Sequence, residues 1–189
     1  KQREGLKYKC LCSHTIARVV PLSVSDDKNF LVCFTSDKHI IIYDTSNYTY
    51  NDIGSHSLDD NQLRKMNYAQ TYNKMVFASE GVKPHTLDWI VNSNGSVSFS
   101  FNEFVLKYQR SVYVDGTKRD DLYARVSNYT YEDFLDSGNY PSGVAFVANR
   151  LAFYNFKNQP YGLFMSKPFE YDDFQENVVY LNEGTNLTK

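Results

Sequence analysis

The sequence predicts an all-β fold built from antiparallel sheets, and two features of the amino acids carry this prediction. The 189 residues include 16 Tyr and 13 Phe, so aromatic residues make up 16% of the chain. Tyr and Phe favour the pleated, half-buried surface of a strand. Short apolar runs separated by polar turns also recur along most of the length, and this pattern is typical of successive hairpins.

The individual elements follow from local signals. The apolar runs 30–34 and 39–43 are joined by the polar residues 36–38, which predicts a hairpin. A second pair of runs, 75–77 and 87–91, precedes the dipeptide Asn94-Gly95, which is typical of tight hairpin turns. Helical signals are confined to residues 58–66, which Ser57 would begin, and to residues 131–135. We therefore expect only short helical turns beside the strands.

An internal repeat refines the fold class. Residues 73–77 (Asn-Lys-Met-Val-Phe) resemble residues 149–153 (Asn-Arg-Leu-Ala-Phe), and the same offset carries Pro84 onto Pro160 and Leu87 onto Leu163. A weaker copy at 28–32 precedes the first by about 44 residues, which is close to the length of a four-stranded propeller blade. Three repeats are too few to close a ring. The prediction is therefore a set of antiparallel β-propeller-like blades in a partial or open propeller.

The domain organisation follows from the same repeat. Residues 1–189 are expected to form a single propeller-like β fragment of a larger protein, because Lys1 is neither an initiator methionine nor the start of a signal peptide. The repeats at 73–77 and 149–153 are 76 residues apart, which exceeds the length of one blade by about 30 residues. We place these extra residues in an insertion between blades at 108–138. Charge concentrates there, which predicts either an inter-subunit contact or a solvated loop. The candidate contact residues are Arg110, Lys118, Arg119 and Arg125.

Charge and hydropathy exclude several classes of protein. The chain has 20 basic and 22 acidic residues, a net charge of −2, and so lacks the basic excess of a protein that binds duplex nucleic acid by bulk electrostatics. A hydrophobic content of 42% argues against a disordered chain. The longest apolar run, Ile40–Tyr43, is far shorter than the roughly 20 residues of a transmembrane helix, so no membrane span is expected.

Residues that could carry chemistry show no recognised spacing. The four histidines are widely separated along the chain, so no two of them share a helical face in the way zinc ligands often do. No metal site is expected, and His39 and His85 are interpreted as ordinary turn residues. The acidic pairs at 26–27, 59–60, 120–121 and 172–173 are interpreted as solvated neighbours, because adjacent strand residues point to opposite faces. The sequence also contains no nucleophile elbow and no phosphate-binding loop. We therefore expect that the chain has no catalytic residues, binds no cofactor and is not an enzyme.

Three further residue types allow more than one use. The cysteines Cys10, Cys12 and Cys33 are predicted to be small, buried and reduced. Four Asn-x-Ser/Thr sequons would accept glycans on surface loops of a secreted protein. Several tyrosines are expected to be exposed and could stack on sugars or on a neighbouring subunit. The sequons are at Asn47, Asn94, Asn128 and Asn186, and the tyrosines are Tyr48, Tyr50, Tyr129 and Tyr131.

Two stretches of the chain carry motifs of a known family. The first stretch comprises residues 3–8 (Arg-Glu-Gly-Leu-Lys-Tyr), 18–22, 30–43, 63–70 (Leu-Arg-Lys-Met-Asn-Tyr-Ala-Gln) and 83–87. The second comprises residues 140–146 (Tyr-Pro-Ser-Gly-Val-Ala-Phe), 149–151, 159–160 and 166–174. Together they resemble the tail nozzle (tail tubular) proteins of short-tailed bacteriophages over most of residues 3–175, outside 108–138.

This resemblance implies a structural protein of the virion tail. It implies a propeller-like domain in a ring-forming, usually hexameric, homo-oligomer beneath the portal and adaptor proteins, assembled in the bacterial host cytoplasm. The lumen would pass the genome during ejection and touch the viral DNA only transiently and without sequence specificity. A near-neutral wall suits such a conduit, because a basic wall would hold DNA through phosphate contacts.

Two alternatives to the tail protein remain. One is an extracellular glycan- or protein-binding β-propeller module that uses the tyrosines and sequons. The other, less favoured, is a glycan-cleaving propeller enzyme, which would need two carboxylates across one glycosidic bond.

Overall fold

The computed structural model describes residues 13–106, 138–158 and 160–174, together with the backbone of three short strands at 112–114, 117–118 and 179–181. One helix, α1 (Asp60–Lys65), and fourteen strands occur in these ranges. The strands are β1 (Ile16–Ser25), β2 (Lys28–Thr35), β3 (His39–Asp44), β4 (Tyr50–Ser55), β5 (Asn67–Gln70), β6 (Lys74–Ser79), β7 (Val82–Val91), β8 (Val97–Glu103), β9 (Val112–Val114), β10 (Thr117–Lys118), β11 (Pro141–Val147), β12 (Arg150–Phe156), β13 (Leu163–Met165) and β14 (Val179–Leu181).

Three antiparallel sheets follow one another along the chain. The first sheet has the strand order β1-β2-β3-β4, the second β5-β6-β7-β8 and the third β11-β12-β13. The predicted hairpin of 30–34 and 39–43 is confirmed as β2 and β3. The Asn94-Gly95 turn signal also falls between two paired strands, β7 and β8, although their connection spans residues 92–96 and is longer than a two-residue turn.

A smaller sheet lies apart from this series in the chain order. Its strand order is β10-β9-β14. β9 and β10 pair antiparallel, but β14 runs parallel to β9. This parallel pair lies outside the three antiparallel sheets, and its strand β9 falls in the segment 108–138 predicted as an insertion between blades. The parallel pairing joins two strands that are distant in sequence, with the whole third sheet between them along the chain, and local turn signals do not report such a pairing.

The second sheet is the middle layer of three. Met75 and Phe77 of β6 pack in a first core shared with the first sheet, whereas Val76 and Ala78 pack in a second core shared with the third sheet. This alternation follows from the geometry of a strand, in which successive side chains point to opposite faces. β6 is consequently buried on both sides.

Aromatic and aliphatic side chains fill both cores. In the first core, the rings of Phe34 and Phe77 meet edge to face with centroids 5.4 Å apart. In the second, Phe104 meets Phe153 in the same way at 5.2 Å. Such edge-to-face pairs add to the stability gained from burying the rings.

The short helix α1 closes one side of the first core. Asp59 begins it through a capping box: its Oδ1 accepts the Gln62 backbone N–H at 2.8 Å, and Gln62 Oε1 accepts the Asp59 N–H at 2.8 Å. Leu63 is fully buried. The predicted helix at 58–66 is thus confirmed, but it begins at Asp59 instead of Ser57. Residues 131–135, the other predicted helical turn, lie outside the described residues.

The repeated segments occupy equivalent strands, although their register differs. Residues 28–32, 73–77 and 149–153 all fall in the second strand of their respective sheets, and each pairs with the strand that returns. Leu87 is buried and pairs with Met75, whereas Leu163 is 60% exposed and pairs with Tyr154. The predicted equivalence of Leu87 and Leu163 is therefore wrong, because the loop before β13 shifts the returning strand.

None of the sheets in the described ranges closes on itself. The expected all-β, blade-like class is confirmed as a stack of antiparallel sheets with one short helix. A propeller is not observed.

Candidate functional site

Four polar side chains meet at one end of the first sheet, and we call them the histidine cluster: His14, Asp37, His39 and Asp52. They come from four different segments. His14 precedes β1, Asp37 lies in the turn between β2 and β3, His39 begins β3, and Asp52 lies in β4. The cluster therefore forms only when the first sheet is assembled.

Backbone hydrogen bonds hold these segments in place. The Ser36 N–H donates to the Thr15 carbonyl at 2.9 Å, which joins the chain before β1 to the β2–β3 turn. The buried Thr35 hydroxyl accepts the His39 N–H at 2.8 Å. Asp52 pairs with Ile41 next to a bulge at the β3–β4 pair, and this irregularity brings its carboxylate towards His39.

The cluster contains two histidine–aspartate pairs whose imidazole rings lie close together in a tilted arrangement. His14 Nδ1 lies 2.5 Å from Asp37 Oδ2, and His39 Nδ1 lies 2.6 Å from Asp52 Oδ2. The two imidazole centroids are 4.5 Å apart with planes tilted by 40°. One ligand atom each from His14, Asp37 and His39 lies within 4.8 Å of the other two. The group is accessible, since 51% of the Asp37 side chain and 41% of the His39 side chain are exposed.

Both aspartates of the cluster are ionised at neutral pH. The hydrogen bond from His14 is the main cause that lowers the pKa of Asp37 to about 2. The Gly54 backbone N–H, which donates to Asp52 Oδ1 at 3.0 Å, is the main cause that lowers the pKa of Asp52, and His39 contributes further. Two carboxylates and two imidazoles thus face one another, which is a set of oxygen and nitrogen donors suited to a cation.

Sequence reasoning missed this cluster. His14 and His39 are far apart along the chain, so a search for short helical spacings passes over them. The signal that could have found part of the cluster is the pair Asp37 and His39, which lie two residues apart at the predicted hairpin turn. The interpretation of His85 as a turn residue is also wrong. His85 lies within β7, and its ring stacks on Phe101 at 5.1 Å with a 13° interplanar angle.

A groove of about 500 Å³ separates the first and second sheets at the opposite end of the first sheet. Phe30 and Phe99 meet edge to face at 5.1 Å within its lining, and Lys28 Nζ donates to the Gly95 carbonyl across it. Tyr50 also lines the groove and is 45% exposed. An exposed tyrosine beside polar turns is the arrangement in which a sugar ring could stack.

The sequons that the structure describes lie in turns that border this groove. Asn47 and Asn94 are exposed, and each accepts the backbone N–H of the Ser or Thr two residues later at 3.0 Å. Tyr48 and Tyr50 are exposed, as predicted. The other predicted positions, Asn128, Asn186, Tyr129 and Tyr131, lie outside the described residues.

The first sheet is apolar on its outer face as well as on the face that meets the first core. Val19 pairs with Cys33, and Cys33 pairs with Ile41, so that these three side chains form a row across the sheet. Cys33 and Ile41 are buried, as predicted for this cysteine, whereas Val19 is 44% exposed. A sheet whose two faces are both covered typically carries apolar side chains on both faces.

The remaining predicted site residues have mixed outcomes. Asp26 and Asp27 are exposed in the β1–β2 turn, as predicted, but Asp173 is buried and accepts a hydrogen bond from Lys167 Nζ at 2.6 Å, so the interpretation of its pair as solvated is wrong. Of the predicted insertion 108–138, residues 108–137, including the acidic pair 120–121, lie outside the described residues apart from the backbone of β9 and β10. The predicted contact residues Arg110, Lys118, Arg119 and Arg125 lie outside the described residues except for the Lys118 backbone in β10, and so do Cys10 and Cys12.

Two wider observations complete the description. Within the described ranges, no helix has both the length and the apolar character needed to cross a bilayer. Comparison of the chain with protein-family models, with curated proteins and with solved structures found no match.

Proposed function

We propose that the chain is a structural, non-enzymatic part of the tail nozzle of a short-tailed bacteriophage, within a ring through which the genome is ejected. The observation that carries the proposal is where the nozzle-like motifs fall. Residues 30–43 form the β2–β3 hairpin, 63–70 end α1 and form β5, and 140–146 with 149–151 form β11 and the start of β12. The motifs thus make up the framework strands of three successive sheets.

The surface of the first sheet supports an assembly role. On its outer face, Cys33 and Ile41 are already buried within the chain, whereas Val19 in the same row is 44% exposed. An exposed apolar side chain gains stability when another surface covers it. In a propeller-like ring, a neighbouring blade or subunit would cover Val19.

Negative-stain microscopy and sedimentation of the complete protein test this proposal. We expect closed rings, six-fold in symmetry by analogy with the family. Val19→Glu is expected to abolish the rings while leaving far-UV circular dichroism unchanged, because a partly exposed position tolerates a charge in the isolated chain but not beneath another layer.

Ser98→Glu is the matched control. Ser98 is exposed on β8 of the second sheet, and its substitution should leave ring formation intact. A complete protein that stays monomeric at every concentration tested would refute the nozzle proposal.

The groove favours a second candidate, a glycan-binding module. Tyr50, Asp44 and Asn51 all line this groove, so an aromatic ring and polar groups lie side by side there. Titration with an oligosaccharide panel by NMR should then shift resonances at the groove. Tyr50→Ala would abolish the shifts, and Tyr72→Ala, which alters a 91% exposed tyrosine outside the groove lining, would not. Wild-type spectra that stay unchanged across the panel would eliminate this candidate.

A further inference from the structure

We propose that the histidine cluster is a binding site for a divalent transition-metal ion, with Zn²⁺ the best fit. His14, Asp37 and His39 are the ligands, and Asp52 is a positioning residue. The proposal is independent of the nozzle assignment, because it rests on the geometry of these four side chains alone.

The donor set indicates the class of ion. Imidazole nitrogen and carboxylate oxygen are both ordinary ligands of Zn²⁺, whereas Mg²⁺ and Ca²⁺ prefer oxygen alone. Three ligands from the protein leave one position of a tetrahedral ion for water or another donor. The exposure of Asp37 and His39 provides a path by which the ion enters from solvent.

The distances require only small side-chain movements. Ligand atoms that lie about 2.0–2.1 Å from a tetrahedral ion are about 3.3 Å from one another. The His14 Nδ1 and Asp37 Oδ2 atoms, now 2.5 Å apart, would separate slightly as the ion takes the place of the hydrogen between them. That hydrogen moves to Nε2 of His14, so the ring stays neutral. His39 moves inward, since the three ligand atoms now lie within 4.8 Å of one another.

Asp52 prepares His39 for coordination. Because the Asp52 carboxylate only accepts hydrogen bonds, Nδ1 of His39 carries the hydrogen and Nε2 carries the lone pair. The Gly54 N–H in turn holds the other carboxylate oxygen at 3.0 Å. A carboxylate that orients a metal-bound histidine in this way is a common feature of zinc sites.

The bound ion would act as a clamp on the first sheet. His14 belongs to the segment before β1, whereas Asp37 and His39 belong to the β2–β3 turn and the start of β3. Coordination therefore adds a further link between two segments that are joined here by the backbone bond from Ser36 to Thr15 and by the contact between His14 and Asp37. Because a ligand that binds only the folded state stabilises it, Zn²⁺ should raise the unfolding temperature.

Isothermal titration of the chain with zinc chloride, together with thermal unfolding, tests the site. We expect one Zn²⁺ per cluster and an increase in the unfolding temperature. His39→Ala and Asp37→Asn should remove this binding. Asp52→Asn should weaken it by about tenfold, because the amide can donate to Nδ1 and so favour the tautomer whose Nε2 carries the hydrogen.

Asp26→Asn is the matched control, since Asp26 is an exposed turn aspartate at the other end of the first sheet. It should bind Zn²⁺ as the wild type does. A ¹⁵N NMR readout of the imidazoles separates a local effect from unfolding, because the Nε2 resonance of His39 should shift when Zn²⁺ is added. Zinc that produces no heat and no such shift at millimolar concentration would overturn the proposal. Equal affinity in the wild type, His39→Ala and Asp37→Asn would overturn it too.

Discussion

Two buried histidines, His56 and His85, make the stability of this fold depend on pH. His85 stacks on Phe101, and His56 Nε2 lies 3.2 Å from the Thr35 carbonyl. Burial is the main cause that lowers the pKa of both imidazoles, although the charge of Glu103 partly opposes it at His85. Both residues are therefore neutral in the folded chain at neutral pH.

Acid is expected to destabilise the protein through these two residues. The unfolded imidazoles take up protons near pH 6.5, whereas the folded ones do so only at lower pH, so the unfolded state binds more protons in between. Stability is thus complete above about pH 6.5 and falls as the pH drops through the lowered pKa values. The urea midpoint should be lower at pH 5.5 than at pH 7.5.

His85→Phe provides the comparison for this measurement. Phenylalanine can keep the ring contact with Phe101 but does not titrate. The difference between the urea midpoints at pH 5.5 and pH 7.5 should therefore become smaller, and the part that remains is the contribution of His56. Titration of Asp37 and Asp52 does not affect this comparison. Their pKa values are lowered from an ordinary value near 3.8, so Asp37 and Asp52 contribute only at more acidic pH. A midpoint that rises on acidification would contradict the assignment.

At the scale of single elements, the pair of β11 and β12 depends on one glycine. Gly143 lies opposite Tyr154 in the register, and a Cβ at position 143 would overlap the tyrosine ring. The aromatic ring thus covers the surface that the missing side chain leaves open, a device by which an aromatic neighbour compensates a glycine in a sheet.

Gly143→Ala is expected to lower the free energy of unfolding by about 1 kcal/mol, because the added methyl forces the ring aside. In a Tyr154→Ala background the same change should cost nearly nothing, since the overlapping ring is gone. Urea denaturation of the four proteins gives the coupling energy directly. Additive effects of the two substitutions would show that the ring does not limit residue 143.

Some single elements can be predicted from the sequence and others cannot. The β2–β3 hairpin and the helix after Asp59 follow from turn residues and a capping box, which act within a few positions. The place of Leu163 does not follow from its repeat. Register depends on the loop before β13 and on packing against β12, and both depend on contacts distant in sequence.

For the whole molecule, the middle position of the second sheet is the decisive feature. Met75 belongs to the first core and Val76 to the second, although they are neighbours in β6. The two cores are therefore joined through one sheet. We expect the three stacked sheets to unfold together.

Substitutions in separate cores test this cooperativity. Met75→Ala removes volume from the first core and Phe153→Ala from the second, and each should cost about 2–5 kcal/mol. Both should lower the midpoint of one common transition, followed by calorimetry and by fluorescence of Trp89. Ser100→Ala, on the exposed part of β8, should change stability by less than about 0.5 kcal/mol. Two separate transitions in either variant would refute the common stack.

The β class, the hairpins, the short helix and the repeated second strands can all be predicted from the amino-acid sequence. These depend on alternation, turn residues and caps, which are local and can therefore be recognised along the chain. Three features become visible only in the folded chain: which face of β6 meets which core, how β13 is aligned, and the convergence of His14, Asp37, His39 and Asp52. Those outcomes arise from long-range strand pairing and a bulge in β4, whose energies depend on neighbours that no short stretch of sequence contains.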